Sequence, residues 1–537
     1  MRRHLALIAC AALALAGCAS LPTSSPPAPF DVSARDGSGV QFSAEGPSDG
    51  SDAATLVSDF LLACAAGPQD DYATARLFLT AASARSWQPE TEILVYDTDT
   101  APAVSATSEN ASRSEVTVSV LGVASIDQAG VLTRSNGATV SRTFSLVRED
   151  GQWRIDAPEN MILISRAALT ASYTLANLYF PSADGTELVA DPRWYPSRRL
   201  ASHLLAGLVD GPRADLDPVV ANAIPAGATL PSRGVEVSDG VARVELNASM
   251  PPSESARESL QWELTRTLTQ AADVSQVSVS LTGEVMEVAA LPTPPAYSLD
   301  TLVGAGSSGV GIISSSGLTS RATDASNPTA SPVDSSLVAW SGADGVYAER
   351  AGTAVAFVPG QAPLGPSIDR YGWVWGPASS SSTLSVGGGA DGAFDVAIES
   401  ESAGQIRAVR VSPDGSRALV VRGSTPSAWV GVIERGPGGR PQAVRSLEQV
   451  FLDGAVIDAS WTTSTGLAVA VRGGSGEDDQ LVTMTLGGLP SSLPLPIRVS
   501  SMSAGASSAS VVIVGTDDAG KKQVLVRSGA LWQNLAV

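Results

Sequence analysis

Apolar positions change their spacing repeatedly along this chain, and each change predicts a different kind of element. Leu5 to Ala16 is an unbroken apolar run, about a dozen residues long and too short to cross roughly 30 Å of hydrocarbon as a permanent helix. From Asp52 the period is helical, with Leu56, Val57, Phe60, Leu61 and Cys64 on one stripe. A second helix is expected from Asp71 to Arg85, carried by Tyr72, Ala75, Phe78 and Leu79. Alternation then predicts strands at Glu92 to Tyr96, Glu115 to Leu121, Thr139 to Val147 and Gln152 to Ile155, the last two joined by the turn Glu149-Asp150-Gly151.

Strand and helix patterns alternate in the next stretch. Thr174 to Phe180 reads as a strand, and Pro196 to Val209 as a helix burying Leu200, Leu204, Leu205 and Leu208 and ended by Asp210-Gly211-Pro212. Gly234 to Val237 and Val241 to Leu246 flank the hairpin signal Ser238-Asp239-Gly240. Ser255 and Glu258 have capping-box spacing ahead of Leu260, Leu264 and Leu268, and Val274 to Leu281 supplies a last strand. These elements predict an α+β sandwich with helices on one sheet face. Pro292, Pro294 and Pro295 then make a stiff linker.

Beyond the linker the chain is poor in helix signals. Leu337 to Trp340, Tyr371 to Trp375, Ile406 to Val411 with its Ser412-Pro413-Asp414-Gly415 turn, Ile457 to Trp461 and Ser508 to Val514 recur as short strands. Their spacing of about 35 to 50 residues is the period of four-stranded propeller blades and predicts five to seven of them. A β-sandwich is the alternative architecture.

The length of 537 residues suits about three domains. A formal charge of −20, with no Lys/Arg cluster after residue 3, argues against nucleic acid and anionic lipid head groups as partners. Arg2 and Arg3 precede the first apolar run, and Leu15-Ala16-Gly17-Cys18 closes it as a lipobox. Residues 1–17 are therefore expected to be a lipoprotein signal peptide, with Cys18 the lipidation site, carrying a diacylglyceryl group that holds the protein on the extracytoplasmic face of the cell membrane. Residues 18–50, rich in Pro, Ser and Gly, read as a flexible tether. Of the three cysteines, Cys10 leaves with the signal and Cys18 takes lipid, so Cys64 is expected to be a lone buried side chain with no disulfide.

Candidate chemistry is sparse. His203 is the single histidine after the signal and lies beside an apolar helical stripe, with no nucleophile and acid in the neighbouring sequence. One histidine and one buried cysteine fall short of a zinc site, and no metal or cofactor is expected. Asp70-Asp71 reads as helix capping and Glu477-Asp478-Asp479 as a solvated loop, not as a glycosidase pair. Trp373, Trp375 and Trp461 are candidates for stacking on sugars if exposed and for blade packing if buried.

The helix-then-sheet order ending in Gly151-Gln152-Trp153-Arg154-Ile155 resembles the NTF2-like class. Asn177-Leu178-Tyr179-Phe180, Asp184-Gly185 with Leu188, Leu208-Val209-Asp210-Gly211-Pro212, Ala223-Ile224-Pro225, Asp239-Gly240 and Thr267-Leu268-Thr269-Gln270 together resemble a GerMN domain. The expected fold class is thus multidomain: an α+β NTF2-like module at 51–166, an α+β GerMN domain at 170–290 and an all-β propeller at 298–537. In this order behind a lipobox, these modules resemble the LpqB lipoprotein family of high-GC Gram-positive bacteria. That resemblance implies a non-enzymatic, lipid-anchored accessory protein that contacts the extracellular domain of the sensor kinase MtrB and modulates two-component signalling in envelope homeostasis and division. A lipoprotein binding cell-wall glycan or peptide is the alternative.

Overall fold

Fifteen residues of alternation, Arg113–Asp127, form the long strand around which the first domain is built. Its inward side chains Val116, Val118, Val120, Ala124 and Ile126 are buried, as a period of two requires of a half-buried strand. One half pairs with Thr139–Glu149 and the other with Glu92–Tyr96, in a seven-stranded sheet. The computed structural model describes residues 44–535 apart from 136, 315–316, 361–364, 389–391, 400–403 and 507–509. The signal segment, Cys18 and most of the tether lie outside the described residues.

The helix Ala53–Ala66, capped by Asp52 through Thr55 N–H, lays its predicted stripe on this sheet. Phe60 stands 5.5 Å from Trp87, 5.9 Å from Phe144 and 6.2 Å from Phe78, ring centre to ring centre, so aromatic side chains fill the space under the sheet. The second helix departs from expectation. It is broken into Ala73–Arg76 and Ala81–Ser86 because Leu79 bridges to Ile155 and Thr80 then caps a new helix through Ser83 N–H. The sheet is mixed: Ile162–Ser165 returns to pair in parallel with Glu92–Tyr96.

The second domain has two sheets where one was expected. Tyr173–Pro181 and Leu188–Pro196 form a hairpin of their own, apart from the four-stranded sheet containing Val241–Leu246 and Gln276–Leu281. The helices Leu200–Asp210 and Glu254–Leu268 share one core with both. The first begins at Leu200, later than the sequence suggests, because Pro196 is paired with Tyr173. Gly211, at φ +91°, ends it as expected. The second is capped by Ser253, not Ser255, through Ala256 N–H at 3.2 Å. Both predicted Asp-Gly hairpin turns form, with Asp150, Gly151, Asp239 and Gly240 all at positive φ, the requirement of a type I′ turn.

Six successive strand sets follow among the described residues: three strands within 303–322, then four each within 326–359, 367–398, 406–450, 456–494 and 498–534. The first strand of each packs against the first strand of the next, as in a propeller. Cores lie between blades. In Arg417–Arg422, Ala418 and Val420 join the cluster shared with blade three, while Leu419 and Val421 join that shared with blade five. Gly466–Val471 divides the same way, Leu467, Val469 and Val471 to one side and Ala468 and Ala470 to the other. Blades three and four are also stitched at their rims by a parallel pair, Ala397 with Ala443 and Ile398 with Val444.

Glu263 is a buried acid inside the second domain. One carboxylate oxygen accepts Ala223 N–H at 2.9 Å and the other has no partner among the described residues. Burial pushes its carboxyl well above the ordinary 4.5, so it favours the folded state when protonated, and that contribution declines as pH rises towards the folded value. Glu263→Gln keeps the acceptor and removes the titration. Thermal unfolding should show the variant level with the natural chain near about pH 4 and increasingly more stable above about pH 5; parallel pH profiles would contradict a neutral buried acid.

Candidate functional site

All nine residues of Leu188–Pro196 are buried, although the run contains Asp191, Pro192 and Arg193. The reason is position: the strand lies where the three domains meet. Asp191 is 0% exposed and Arg193 4%. The Arg193 guanidinium donates to Asp191 Oδ2 from Nε at 3.2 Å and Nη2 at 2.7 Å, and Nη2 also donates to Gly211 O at 2.9 Å. Arg213 adds its backbone N–H to the same carboxylate at 3.2 Å. Burial alone would lower the Arg193 guanidinium, but the Asp191 charge beside it holds it above its ordinary value.

Trp194 joins both neighbours of this domain. Its backbone N–H donates to Gly130 O of the first domain at 2.8 Å, and its indole N–H to Gly487 O of blade five at 2.8 Å. Ala190 O accepts Arg417 Nη2 of blade four at 2.5 Å. Val189, Leu216, Val219 and blade-four Val432 form an apolar cluster beside it. On the first domain's side, Arg134 donates to Phe451 O, and Leu489 packs against that domain's core.

The hairpin loop makes a second set of contacts. Arg370 donates to Glu187 at 3.2 Å and Thr186 at 2.6 Å, while Tyr371 Oη donates to Asp184 at 2.9 Å. Burial would raise Asp184, yet the hydroxyls of Ser182, Thr186 and Tyr371 that donate to it hold its carboxyl down at about 2. The partner loop is itself fixed from below. Asp369, 0% exposed, accepts the N–H groups of Tyr371 and Trp373 and the Trp375 indole. The Tyr371 ring lies under Arg370 and Arg435 and so close to Gly439 that a Cβ there would sit 2.1 Å from it. In blade four the Ser412-Pro413-Asp414-Gly415 turn does the equivalent work: Ser412 Oγ accepts Arg417 N–H at 2.9 Å and donates to Asp414 at 2.5 Å.

The first and second domains share a polar contact as well. Tyr72 and Tyr173 hydroxyls lie 2.5 Å apart beside Glu90, and Asp71 pairs with Arg199 at 2.7 Å and Arg198 at 3.4 Å. Asp71 and Tyr72 both sit at positive φ, an uncommon state for a bulky residue. Asp70 stands before the N-cap position, held by Tyr72, and its Oδ2 accepts Thr74 N–H in the first turn of the short helix, whereas Asp71 bridges domains.

The remaining sequence candidates serve packing. Cys64 is fully buried and burial pushes its thiol well up. His203 stacks on Tyr195 at 6.3 Å, and burial followed by the nearby Arg199 charge lowers its imidazole. The solvated-loop reading holds for Glu477 and Asp478, which are exposed, but not for Asp479: it is 1% exposed, accepts Gly473 N–H and Val499 N–H, and pairs with Arg472 and Arg498. Trp375 and Trp461 are buried, with indoles on Asp369 and Arg410 O. Trp373 is half-buried, edge-on to Phe394. Among the described residues no group of three His, Cys, Asp or Glu is placed to hold a metal ion, and no helix is long and apolar enough to cross a membrane.

Three family models match consecutive stretches: the N-terminal domain of lipoprotein LpqB over residues 46–170, the sporulation and spore germination domain Germane over 177–287, and the LpqB beta-propeller domain over 300–536. Curated relatives named lipoprotein LpqB include those of Cutibacterium acnes, 29% identical over 53% of this chain and 47% of the relative, and Thermobifida fusca, 31% identical over 52% and 46%. That of Corynebacterium diphtheriae is 34% identical over 42% and 40%. The chain thus spans about half the length of the curated relatives it matches. Among solved structures, TolB from Acinetobacter baumannii overlaps 53% of this chain and 69% of its own at 15% identity, with a TM-score of 0.33.

Removing one partner of a buried ion pair leaves the other charge uncompensated and costs about 3–5 kcal/mol. Asp191→Ala should therefore lower the unfolding free energy by that amount in a denaturant titration. A loss below about 1 kcal/mol, the worth of an exposed pair, would show that the junction is open to water.

Proposed function

Because the chain belongs to the LpqB lipoprotein family, we propose that it is a lipid-anchored, extracytoplasmic accessory protein that binds the sensor domain of a membrane histidine kinase similar to MtrB. In this reading it modulates two-component signalling in envelope homeostasis and division, and it carries out no catalysis of its own. The observation that carries the reading is the run of three family domains in the order expected behind a lipobox at Cys18. The chemistry of the described residues supports it: Asp479, Trp375 and Trp461, which the sequence offers as candidates, are spent on holding loops and blades together, as are Asp369 and the pair Asp191–Arg193.

Anchoring both proteins to one membrane raises their effective concentration, so a modest contact reaches high occupancy. To alter signalling, the lipoprotein must bind one state of the sensor better than the other. Contacts across the junction favour presentation of its surfaces as one unit. The wall-binding alternative draws less support, since Trp375 and Trp461, two of its three stacking candidates, are 0% and 3% exposed.

Crosslinking the anchored protein in intact cells and identifying what it captures tests the proposal, with Cys18→Ala as the control. Recovery of a sensor kinase that falls at least tenfold in the control is expected. Capture of wall fragments alone, or normal signalling from the unanchored form at native level, would overturn it.

A further inference from the structure

Strand Arg417–Arg422 of blade four has all six residues buried, and its two ends do different things. Arg417 reaches the domain junction. Arg422 stands at the far end, about 17 Å away at the rise of a strand, in the loops on the opposite side of the blade. It lines a cavity of about 480 Å³ together with Gly404, Gln405, Arg407, Gly423, Ser424 and Thr425. The side chain is 2% exposed. Its Nη2 donates to Ser381 O at 3.0 Å and Gly404 O at 3.4 Å, whereas Nε and Nη1 have no partner among the described residues.

A guanidinium withdrawn from water with two nitrogens unmatched is a costly arrangement that a fold ordinarily removes or pairs. Nearby arginines show the ordinary solution: Arg410 faces Asp458, Arg435 faces Asp369, and Arg445 faces Glu399 and Glu434. The walls of this cavity are also formed for close approach. Gly404 and Gly423 lie back to back at φ +145° and +101°, where a Cβ on Gly404 would sit 3.0 Å from the Gly423 Cα. Arg407 secures the rim by donating to Gly423 O at 3.0 Å and Ser424 O at 3.4 Å, and the exposed Ser424 and Thr425 stand at the mouth. A second cavity of about 240 Å³ continues past Thr425 and Ser427 to Pro426, Ala428, Val450 and Val456.

We infer that this cavity is a recognition site for the free carboxylate of an extended peptide, with Arg422 taking the carboxylate and the adjoining cavity taking the preceding residues. A guanidinium supplies fixed N–H donors matched to a carboxylate. The chain's charge of −20 opposes long-range attraction of polyanions, which favours a single carboxylate held at short range over a phosphate polymer. The site is independent of the kinase reading, since it stands on the blade's own geometry.

The test uses the full chain in detergent and a fluorescent alanine tripeptide with a free C-terminal carboxylate, beside the same peptide as its amide. The acid form should bind saturably and at least tenfold more tightly than the amide. Arg422→Gln should abolish that preference. Thr425→Trp, at an exposed position where the fold is not at stake, should block binding while thermal unfolding is unchanged. Equal binding of acid and amide, retention of the preference in Arg422→Gln, undiminished binding in Thr425→Trp, or displacement by inorganic phosphate at lower concentration than by acetate would overturn the assignment.

Discussion

Asp191 and Arg193 are two residues apart on one strand, so they project to the same side of it, and both have left water at the meeting line of three domains. Their pairing makes burial of that line tolerable: each charge is compensated by the other, and the spare donors go to Gly211 O and the spare acceptor capacity to Arg213. Around this pair the strand spends its remaining groups outward, Ala190 O on blade four and Trp194 on the first domain and blade five. The orientation of the propeller towards the second domain follows from these few bonds and from the loop pair Asp184–Tyr371 and Glu187–Arg370.

The elements that sequence reading captured are those whose periodicity answers to one neighbour. The helix Ala53–Ala66 shows a stripe because it has one buried side, and the Asp-Gly turns are legible because only a few residues tolerate their backbone. Leu188–Pro196 escaped because it has no solvent face: a strand enclosed on every side shows no alternation, and Asp191, Pro192 and Arg193 argue locally for a loop. Spacing in the sequence favours Ser255, which Glu258 follows by three residues, over Ser253, which Ala256 follows by three; the entry of the chain nonetheless places Ser253 Oγ on Ala256 N–H. The blade strands were legible as apolar runs, while their number was not, since the first set has three strands and two others are fused at the rim.

The candidate site was hardly legible. Nothing local in the sequence distinguishes Arg370, Tyr371 or Arg417, which bind across domains, from an exposed loop arginine or tyrosine. Of the two Asp-centred blade turns before them, Ser412-Pro413-Asp414-Gly415 is legible in the sequence and the one at Asp369 is not; both aim the following side chain. Asp369 fixes the loop bearing Arg370 and Tyr371, and the Ser412–Asp414 turn fixes Arg417. Arg422 resembles Arg417 in sequence and burial, yet the two ends of their shared strand face a domain partner and an open cavity. Fold stability and binding capacity therefore meet on one blade.

Hydrogen exchange across Leu188–Pro196 in the full chain tests the central claim most directly. The Trp194 amide, bonded to Gly130 O, is protected only while the first and second domains stay joined. If the junction binds the domains into one body, this segment should exchange as slowly as the blade strand Arg417–Arg422, through global opening. Exchange faster by about a hundredfold or more, with that blade strand still protected, would mean that the domains part locally and that the buried strand does not hold them.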